Sequence, residues 1–455
     1  MEDVLSSLRQ HVDLNTKLEA DLRSLEQRGH LQIGGSELEN PKIRHLIWCP
    51  NSHVSHPIKS STNIVSSRIG RQLDKKDEFF RVLRVACSQL APDRQSLISS
   101  PGTAAHPFVV RAAELFGLDL QTVQVANKTR SLEKWARECL YVASPEDQRG
   151  KDLFVSPPLL EPPAFPLRDA VPIMLADQVL AIHLRPSGNI RSLIQLRLQS
   201  SAATKVFLAL GHEQLVSRTA ADPLLSAGAI GWLPLQSSTA LPLREDDTSP
   251  PREPPIGKLD DLSRTNGFLT HCTRGSMGPW PDQKETDFLD ELILGLPTRD
   301  RSPLSSLIRI LQQQRIRATG EAIRDSTPVV SFTAVDLADL PSLRCFRSHR
   351  GRWDFEPYGI AFDRNFMKQL GAREVTYGNE ARWKTLSKDE KPFFQRISEE
   401  DNSIDWSIEQ EYRLPHDFEL HEVPSDRAYV FVPTIEEARQ VTRLSRWPVF
   451  VMPKG

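Results

Sequence analysis

Apolar positions recur at helical spacing in the first part of the chain. Leucines and valines return every three or four residues up to about residue 30, and Gly34-Gly35 follow as a stop signal. We therefore predict an N-terminal helix within residues 1–35. This helix packs on its own domain or, alternatively, pairs with another helix, although the segment barely reaches the three heptads that self-pairing needs.

From about residue 40, short apolar runs alternate with helical patterns. The runs predicted to be strands lie at residues 43–49, 95–99, 122–126, 176–183 and 205–210. Apolar faces with a helical period predict helices at residues 78–91, 106–118 and 188–198. This alternation is typical of a parallel sheet with helices on both faces. The fold class predicted for residues 40–235 is therefore α/β and Rossmann-like.

Prolines interrupt this pattern in the middle of the chain. Residues 234–257 hold six prolines and almost no apolar periodicity, so we place a Pro-rich linker at residues 236–257. Beyond it, a helix predicted at residues 302–316 begins with Ser-Pro. The short strands predicted around it lie at residues 267–271, 328–333, 358–362, 374–377, 411–414 and 427–432. We predict an α+β domain with a mixed or antiparallel sheet over residues 258–455.

Composition and charge narrow the functional classes. The chain has 455 residues, of which 39% are hydrophobic and 25% charged, and a formal net charge of −2. These values are ordinary for a soluble globular protein. Near-neutrality argues against bulk binding to nucleic acid or an anionic membrane. The sequence has no apolar run of about 18 residues and no apparent secretory signal, so we expect no membrane partner.

The cysteines and histidines favour a cytoplasmic location and no metal site. The five cysteines are far apart and lack a C-x-x-C pair, which argues against a disulfide framework or structural zinc. His53 and His56 have a metal-like spacing, but no residue nearby completes a ligand set except Cys49, which lies within a predicted strand. Cys272 follows His271, and adjacent strand residues face opposite sides, so a thiol nucleophile is not expected.

Polar turns in the first half have the residue types that bind phosphate. Two of them lie between a predicted strand and a predicted helix, which places both at the carboxyl edge of a parallel sheet, where ligands bind. The candidate nucleotide-binding residues in these turns are Ser67, Arg68, Gly102, Thr103, Arg185 and Asn189. The alternative interpretation is that these are capped turns and a solvated loop.

The first half also resembles a known superfamily. A strand, an S-x-x-G-T turn, a helix and a strand are followed by ADQVLAIHLRPSGNI, and this order is similar to the Rossmann-type SLOG superfamily. The resemblance covers residues 40–235 and implies a domain that senses or processes nucleotides. Only Pro101-Gly102-Thr103 remain of the superfamily's glycine-rich signature, which implies nucleotide binding rather than hydrolysis.

Polar residues in the second half cluster at predicted strand ends. One strand closes with His271, Thr273 and Arg274, and another carries Ser331 and Thr333. In the segment WSIEQEYR, a period of two would place Glu409, Glu411 and Arg413 on one face. A carboxylate pair on one face can supply a base or orient a ribose hydroxyl. Alternatively, this is a solvent-facing strand whose acids pair with neighbouring arginines.

The second half resembles the ADP-ribosyltransferase-like fold and bacterial abortive-infection domains of the AbiGi type. The resemblance covers about residues 266–435 and rests on HCTR, LIRIL, VVSFT, YGI and W-x-x-E-x-E-Y-R. It implies NAD as the ligand, with His271 and Thr273 as the first motif. It also implies Ser331, Thr333 or Tyr358 as the second motif and Glu411, or Glu409, as the catalytic carboxylate.

Our leading hypothesis is a cytoplasmic two-module protein. A nucleotide-sensing Rossmann-like domain is coupled to an NAD-handling ADP-ribosyltransferase-like effector in phage defence or stress response. In this hypothesis Glu411 bonds the ribose 2′-hydroxyl, His271 holds a ribose or amide, and Tyr358 stacks on nicotinamide. Thr273, Arg274, Ser331, Thr333, Glu409 and Arg413 bind the substrate.

Two other functions fit the same sequence. A non-catalytic sensor or antitoxin-like protein would grip a protein partner with Trp353, Trp383 and Trp406, since aromatic residues concentrate at binding hot spots. A nucleotide hydrolase in the first half would have only His106 and Glu114 near Gly102 as acid or base.

Overall fold

The structure divides into two units, each of which is described by itself. The computed structural model describes residues 4–9, 12, 14–34, 45–50, 59–70, 72–127, 129–142, 152–159, 164–200, 205–235, 256–258, 267–320, 323–347, 352–396 and 406–452. The first unit comprises Met1–Leu241 and Gly278–Arg299, and the second comprises Pro242–Met277 and Asp300–Gly455. The predicted linker lies outside the described residues except for 256–257, which belong to a strand.

A nine-stranded sheet forms the first unit, in the order β1-β2-β6-β5-β4-β3-β7-β8-β9. Its strands are β1 (Gly29–Gly34), β2 (His45–Pro50), β3 (Ser60–Ser66), β4 (Gln95–Ser99), β5 (Asp119–Val125), β6 (Leu153–Val155), β7 (Gln178–His183), β8 (Lys205–Ala209) and β9 (Ile230–Trp232). Strands β3 to β9 are parallel to their neighbours among themselves, whereas β2 is antiparallel to both β1 and β6. This order confirms the predicted Rossmann-like α/β fold.

Nine helices among the described residues belong to this unit. They are α1 (Val4–Arg9), α2 (Thr16–Arg28), α3 (Asp77–Ser88), α4 (His106–Phe116), α5 (Leu132–Val142), α6 (Leu167–Leu175), α7 (Asn189–Ser200), α8 (Arg218–Ser226) and α9 (Glu285–Leu294). Most of the apolar faces of α3, α4, α7 and α8 pack on β3, β4, β7 and β8 in one continuous core.

The N-terminal segment is helical only in part. Asn15 caps α2, and its buried Leu18, Leu22 and Leu25 pack beside Trp48, so this helix packs on its own domain. Strand β1 begins at Gly29, where the prediction had helix. A side chain at Gly29 would collide with the backbone of Cys49 on the neighbouring strand, which explains why glycine is needed at this position.

The segment Gly278–Arg299 belongs to the first unit, although it follows the predicted linker. Its helix α9 buries Phe288, Leu292 and Ile293 in the core with α3 and α4. Arg111 on α4 donates to Asp290 through Nε at 2.5 Å and Nη2 at 2.7 Å, a bidentate pair. The predicted second domain, residues 258–455, is therefore wrong over this segment, because its apolar face completes the core of the first unit.

The second unit is an α+β domain built on an eight-stranded sheet, in the order β10-β23-β22-β16-β11-β13-β20-β17. Its strands are β10 (Ile256–Lys258), β11 (Phe268–Cys272), β13 (Val330–Thr333), β16 (Gly359–Asp363), β17 (Arg373–Glu374), β20 (Glu411–Leu414), β22 (Ala428–Val432) and β23 (Val449–Val451). Pairing is antiparallel except around β23, which confirms the predicted mixed sheet.

Smaller elements surround this sheet. In the described part of the second unit, three strand pairs lie outside this sheet, formed by β12 (Arg315–Ile316) with β21 (Phe418–Glu419), β14 (Cys345–Arg347) with β15 (Arg352–Asp354), and β18 (Thr376–Gly378) with β19 (Phe394–Arg396). The helices are α10 (Pro303–Gln313), α11 (Leu340–Leu343), α12 (Arg364–Gln369), α13 (Glu380–Thr385) and α14 (Ile435–Thr442). Helix α10 starts as predicted, with Ser302 accepting from the amide of Ser305.

Replacing Phe288 with Ala tests whether α9 stabilises the first unit. The ring is 2% exposed, and its loss leaves a cavity that costs about 3–5 kcal/mol. We expect faster hydrogen exchange of the α3 and α4 amides and no change in β13 and β20. Leu294→Ala on the same helix is the control, since Leu294 is 40% exposed. Equal effects of the two variants would contradict this role of α9.

Candidate functional site

One face of the second unit's sheet carries a polar cleft with a volume of about 140 Å³. Side chains alternate across a strand, and the register places Thr270 opposite Thr333 and Thr333 opposite Glu411. Ser331 and Arg413 pair in the next row of the same face. The opposite face of these strands packs into the apolar core. The cleft therefore exists because β11, β13 and β20 place polar residues at every second position.

Glu411 is held in the cleft by two neighbours. Its Oε1 accepts from Ser331 Oγ at 2.7 Å and from Arg413 Nε at 2.8 Å, while Oε2 accepts from Arg413 Nη2 at 2.9 Å. Such bidentate, charge-assisted contacts orient a carboxylate strongly. Glu411 is thus a fixed acceptor on the cleft wall.

Arg413 positions other groups and has little capacity left for a ligand. Its side chain is 2% exposed. Besides Glu411, it donates to the carbonyls of Pro392 and Phe394 at 3.1 and 3.0 Å, and to Gln395 Oε1 at 2.8 Å. A guanidinium has five N–H donors, and these contacts use them. The donors of Arg413 are thus used within the protein, which does not agree with the substrate-binding role predicted for it.

Glu409 also faces the cleft, but it does not lie on strand β20. It ends a short 3₁₀ turn, Trp406–Glu409, and Gln410 then adopts a left-handed backbone with φ 43° before the strand begins. The carboxylate accepts from Arg347 Nη2 at 3.2 Å. Burial first, and the nearby Glu411 second, raise the pKa of Glu409 to about 7. The two acids therefore differ in environment, which suits one of them for proton transfer.

A chain of charges continues from Glu409 along the cleft. Arg347 Nε lies 3.3 Å from Asp354, and Arg274 Nη1 lies 3.4 Å from the same carboxylate. Arg347 and Asp354 come from the hairpin formed by β14 and β15, whereas Arg274 follows β11. Phe355, which follows Asp354 in sequence, has a left-handed backbone with φ 56° and lines the cleft. Arginines and carboxylates thus alternate around the cleft.

His271 lies on the other side of the sheet. Its ring packs edge-on against Phe332 with 5.9 Å between centroids, and its Nδ1 is 2.9 Å from the Ser331 carbonyl oxygen. Burial lowers the pKa of His271 to about 4. The expected convergence of His271 and Glu411 in one cleft is therefore wrong, because Thr270 and Cys272 occupy the cleft-facing positions of that strand.

Tyr358 and Thr273 also lie outside the cleft lining. Tyr358 Oη donates to Glu437 Oε1 at 2.8 Å, and burial together with Glu437 raises the pKa of this phenol. Thr273 Oγ1 donates to the Pro303 carbonyl at 2.9 Å. Of the second-half residues predicted to share a site, the cleft brings together Arg274, Ser331, Thr333, Glu409, Glu411 and Arg413.

Several cleft residues were missed by the sequence analysis. Asp354 and Phe355 were not considered, although Arg347 and Asp354 both belong to a short run rich in arginine and aromatic residues. Tyr377 also faces the acids, since burial first and then Glu411 and Glu409 raise the pKa of its phenol to about 12. Asp354 and Arg347 lie in a hairpin of two three-residue strands, β14 and β15, and strands this short show too little alternation to be predicted.

The first unit gathers the predicted turn residues at the carboxyl edge of its sheet. The chain leaves β3 for β4, β5 and β6 on one side, whereas β7, β8 and β9 follow on the other. Ligands of open α/β sheets bind at such a reversal of strand order. Here the Arg185 amide donates to Ser67 Oγ at 3.1 Å, and Arg185 Nη2 donates to the Arg68 carbonyl at 3.0 Å.

The Gly102 turn lies beside this edge. Gly102 has φ 83°, and a methyl group added there would lie 3.2 Å from Nη1 of Arg168. Thr103 lines a very small pocket of about 10 Å³ with Ser66 and Arg168, and its hydroxyl donates to the Ser100 carbonyl. Asn189 is exposed at the start of α7.

Membrane and metal features were sought among the same residues. Within the described ranges, no helix combines the length and apolarity required to cross a bilayer. Those ranges also hold no group of three or more His, Cys, Asp or Glu side chains arranged to bind a metal ion. The His53 and His56 pair lies outside them.

The solved structures that are similar to this chain include two of DNA processing protein A. One is DNA processing protein A from Streptococcus pneumoniae, with 15% identity, a TM-score of 0.30, and coverage of 47% of this chain and 74% of that chain. The other is DNA processing protein A from Helicobacter pylori, with 13% identity, a TM-score of 0.27, and coverage of 45% and 91%. No protein-family model and no curated protein matches. The α/β assignment itself follows from the strand order.

The prediction that excluded bulk nucleic-acid binding is wrong. The Helicobacter pylori protein has a single-stranded DNA binding mode. The exclusion rested on the net charge of the whole chain, which averages over local differences. In this structure burial raises the pKa of the Asp169 carboxyl, and the nearby cations Arg168 and Arg68 lower it. Burial lowers the pKa of His183, and the nearby cations Arg185 and Lys76 lower it further. Cations are therefore concentrated at one edge of a nearly neutral protein.

The raised pKa of Glu409 predicts a pH-dependent stability. A carboxyl whose folded pKa exceeds its unfolded value stabilises the fold when protonated, and this contribution is lost as pH rises from 4.5 to about 7. Relative to Glu409→Gln, the wild type should lose about 3 kcal/mol over this range. Chemical denaturation of both proteins at several pH values measures the difference. A difference that is independent of pH would contradict the burial of this acid.

Proposed function

We propose that the cleft of the second unit cleaves the N-glycosidic bond of a nucleotide of the NAD type. One observation carries this proposal: among the carboxyl groups that line the cleft, Glu411 is fixed by Arg413 and Ser331, whereas Glu409 has a pKa of about 7. Glycoside-cleaving sites use such a pair, one group for charge stabilisation and one for proton transfer.

The roles follow from the contacts in the cleft. Glu411 accepts a bond from a ribose hydroxyl and stabilises the positive charge that develops on the sugar. The bond between the ribose carbon and the nicotinamide nitrogen breaks, and its electron pair leaves with the nitrogen. Ionised Glu409 takes the proton from the attacking water or acceptor hydroxyl as the new carbon–oxygen bond forms.

Other cleft residues replace the roles first given to His271 and Tyr358. Phe355 provides an aromatic ring in the cleft lining, and Arg274 provides a cation whose side chain is 38% exposed. Water as acceptor makes this an NAD glycohydrolase, whereas a protein side chain makes it an ADP-ribosyltransferase.

Release of nicotinamide from NAD by the purified full chain is the test of this proposal. Glu411→Gln keeps the shape but removes the charge, and we expect turnover to fall at least about a hundredfold. Glu409→Gln should also lower the rate and should abolish its rise through pH 7. Glu436→Gln, at an exposed position of α14, is the matched control for loss of a carboxylate.

Thermal unfolding of each variant separates loss of chemistry from loss of folding. Unchanged turnover in Glu411→Gln would overturn the assignment of Glu411 as the carboxylate that stabilises the sugar's positive charge. A wild type that neither binds nor consumes NAD would overturn the proposal as a whole. The remaining candidate would then be a sensor whose exposed Phe346 and Trp353, 51% and 43% exposed, contact a protein partner.

We also propose that the first unit binds a phosphate-bearing ligand, either a nucleotide or single-stranded nucleic acid, at the carboxyl edge of β3, β4 and β7. The support is the convergence of Ser67, Arg68, Arg185 and the Gly102 turn at the reversal of strand order. Backbone at a glycine and a nearby guanidinium both suit phosphate oxygens.

Gly102→Ala tests this second proposal. The new methyl group crowds Arg168 and strains a backbone with positive φ, so affinity for ATP or a short oligothymidylate should fall. Gly117→Ala is the control, because Gly117 also has positive φ (63°) but open space around it. Both variants should lose about 1 kcal/mol of stability. Equal ligand affinity in the two would contradict the site.

A further inference from the structure

The carboxylate of Asp354 lies between two arginines inside the cleft. Its Oδ1 is 3.4 Å from Arg274 Nη1, and its Oδ2 is 3.3 Å from Arg347 Nε. Asp354 is 7% exposed, so this carboxylate is nearly removed from water. Each of its oxygens faces a different guanidinium, which is the arrangement that a bound anion would take.

The hairpin of β14 and β15 delivers Asp354 to this place. In the register, Cys345 pairs with Asp354 and Phe346 pairs with Trp353, so alternate residues face opposite sides. The exposed Phe346 and Trp353 pack against each other on the outer side, with 5.5 Å between ring centroids. Asp354 and Arg347 take the inner side, and the positive φ of Phe355 follows directly.

The geometry of these ion pairs is poor for their type. Charge-assisted N–H to carboxylate bonds are typically about 2.7–2.9 Å, and arginine prefers a bidentate partner. Asp354 meets each arginine at 3.3 Å or more. In contrast, Glu411 and Arg413 meet in a bidentate pair at 2.8 and 2.9 Å. The contacts of Asp354 with these two arginines are therefore longer than the bidentate pair of Glu411 and Arg413.

We infer that Asp354 occupies the anion subsite of the cleft, and that the ligand enters with a phosphate group that displaces it from Arg274 and Arg347. A phosphate carries more charge and three acceptor oxygens, so it can accept bidentate bonds from both guanidiniums at shorter distances than Asp354 does. This inference rests on the proposed function and deepens it by naming phosphate as the part of the substrate read by these two arginines. Asp354 then selects against ligands without a phosphate, because such ligands make no contacts that replace its ion pairs with Arg274 and Arg347.

Inorganic pyrophosphate is the probe for this inference. Asp354→Asn removes the competing charge, and we expect the full chain to bind pyrophosphate at least about tenfold more tightly through Arg274 and Arg347. The side-chain Nε–Hε resonances of these two arginines, followed by NMR during titration, report binding at this subsite alone. Adding Arg274→Gln to Asp354→Asn should remove the gain.

Glu411→Gln separates displacement from a general effect of charge. It removes one carboxylate from the same cleft but leaves the Asp354 pairs in place, so its pyrophosphate affinity should rise far less than that of Asp354→Asn. An equal gain in both variants would show a general charge effect and overturn the inference. So would an unchanged affinity in Asp354→Asn.

The wild type supplies a second measurement should Asp354→Asn fail to fold. Saturating pyrophosphate should shift the Arg274 and Arg347 resonances and change hydrogen exchange in β14 and β15. If neither changes, the subsite is not there. Because pyrophosphate contains no glycosidic bond, nicotinamide release plays no part in this test, and the two proposals can fail separately.

Discussion

The buried guanidinium of Arg413 is the interaction on which the candidate site depends. It lies in an almost water-free position and bonds Glu411, two backbone carbonyls and Gln395. Removing one partner of a buried charge pair typically costs about 3–5 kcal/mol, because the other charge stays behind without compensation. Arg413 therefore joins β20 to the segment around Pro392 and Phe394, and it fixes the carboxylate that faces the cleft.

A fixed Glu411 has consequences for its neighbour. Glu409 lies close to that negative charge and is itself buried, and both effects raise its pKa. Arg347 lowers the pKa of Glu409 only partly, because its guanidinium also pairs with Asp354. One acid is thus oriented as a permanent acceptor, and the other titrates near neutral pH. This division follows from where Arg413 and Arg347 are placed, and it is the feature that links the fold to acid–base chemistry.

The sequence predicts the sheets better than it predicts the site. The sequence patterns predicted β4 and β20 with their observed bounds, since buried parallel strands and strands with one polar face have distinct patterns. Strand β3 was missed because its residues SSTNIVS are polar at the start, although it lies in the middle of the first sheet. The side on which His271 lies, and the return of α9 to the first unit, depend on long-range packing. Local periodicity does not carry that information.

The central claim is that the cleft holds one carboxyl group protonated up to neutral pH beside another that is fixed by arginine. Carbon-13 NMR of labelled glutamate carboxyl groups measures this directly. The account predicts one resonance that titrates near pH 7 and is absent from Glu409→Gln. If every glutamate resonance of the folded protein titrates near the ordinary value of 4.5 or below, the account is contradicted.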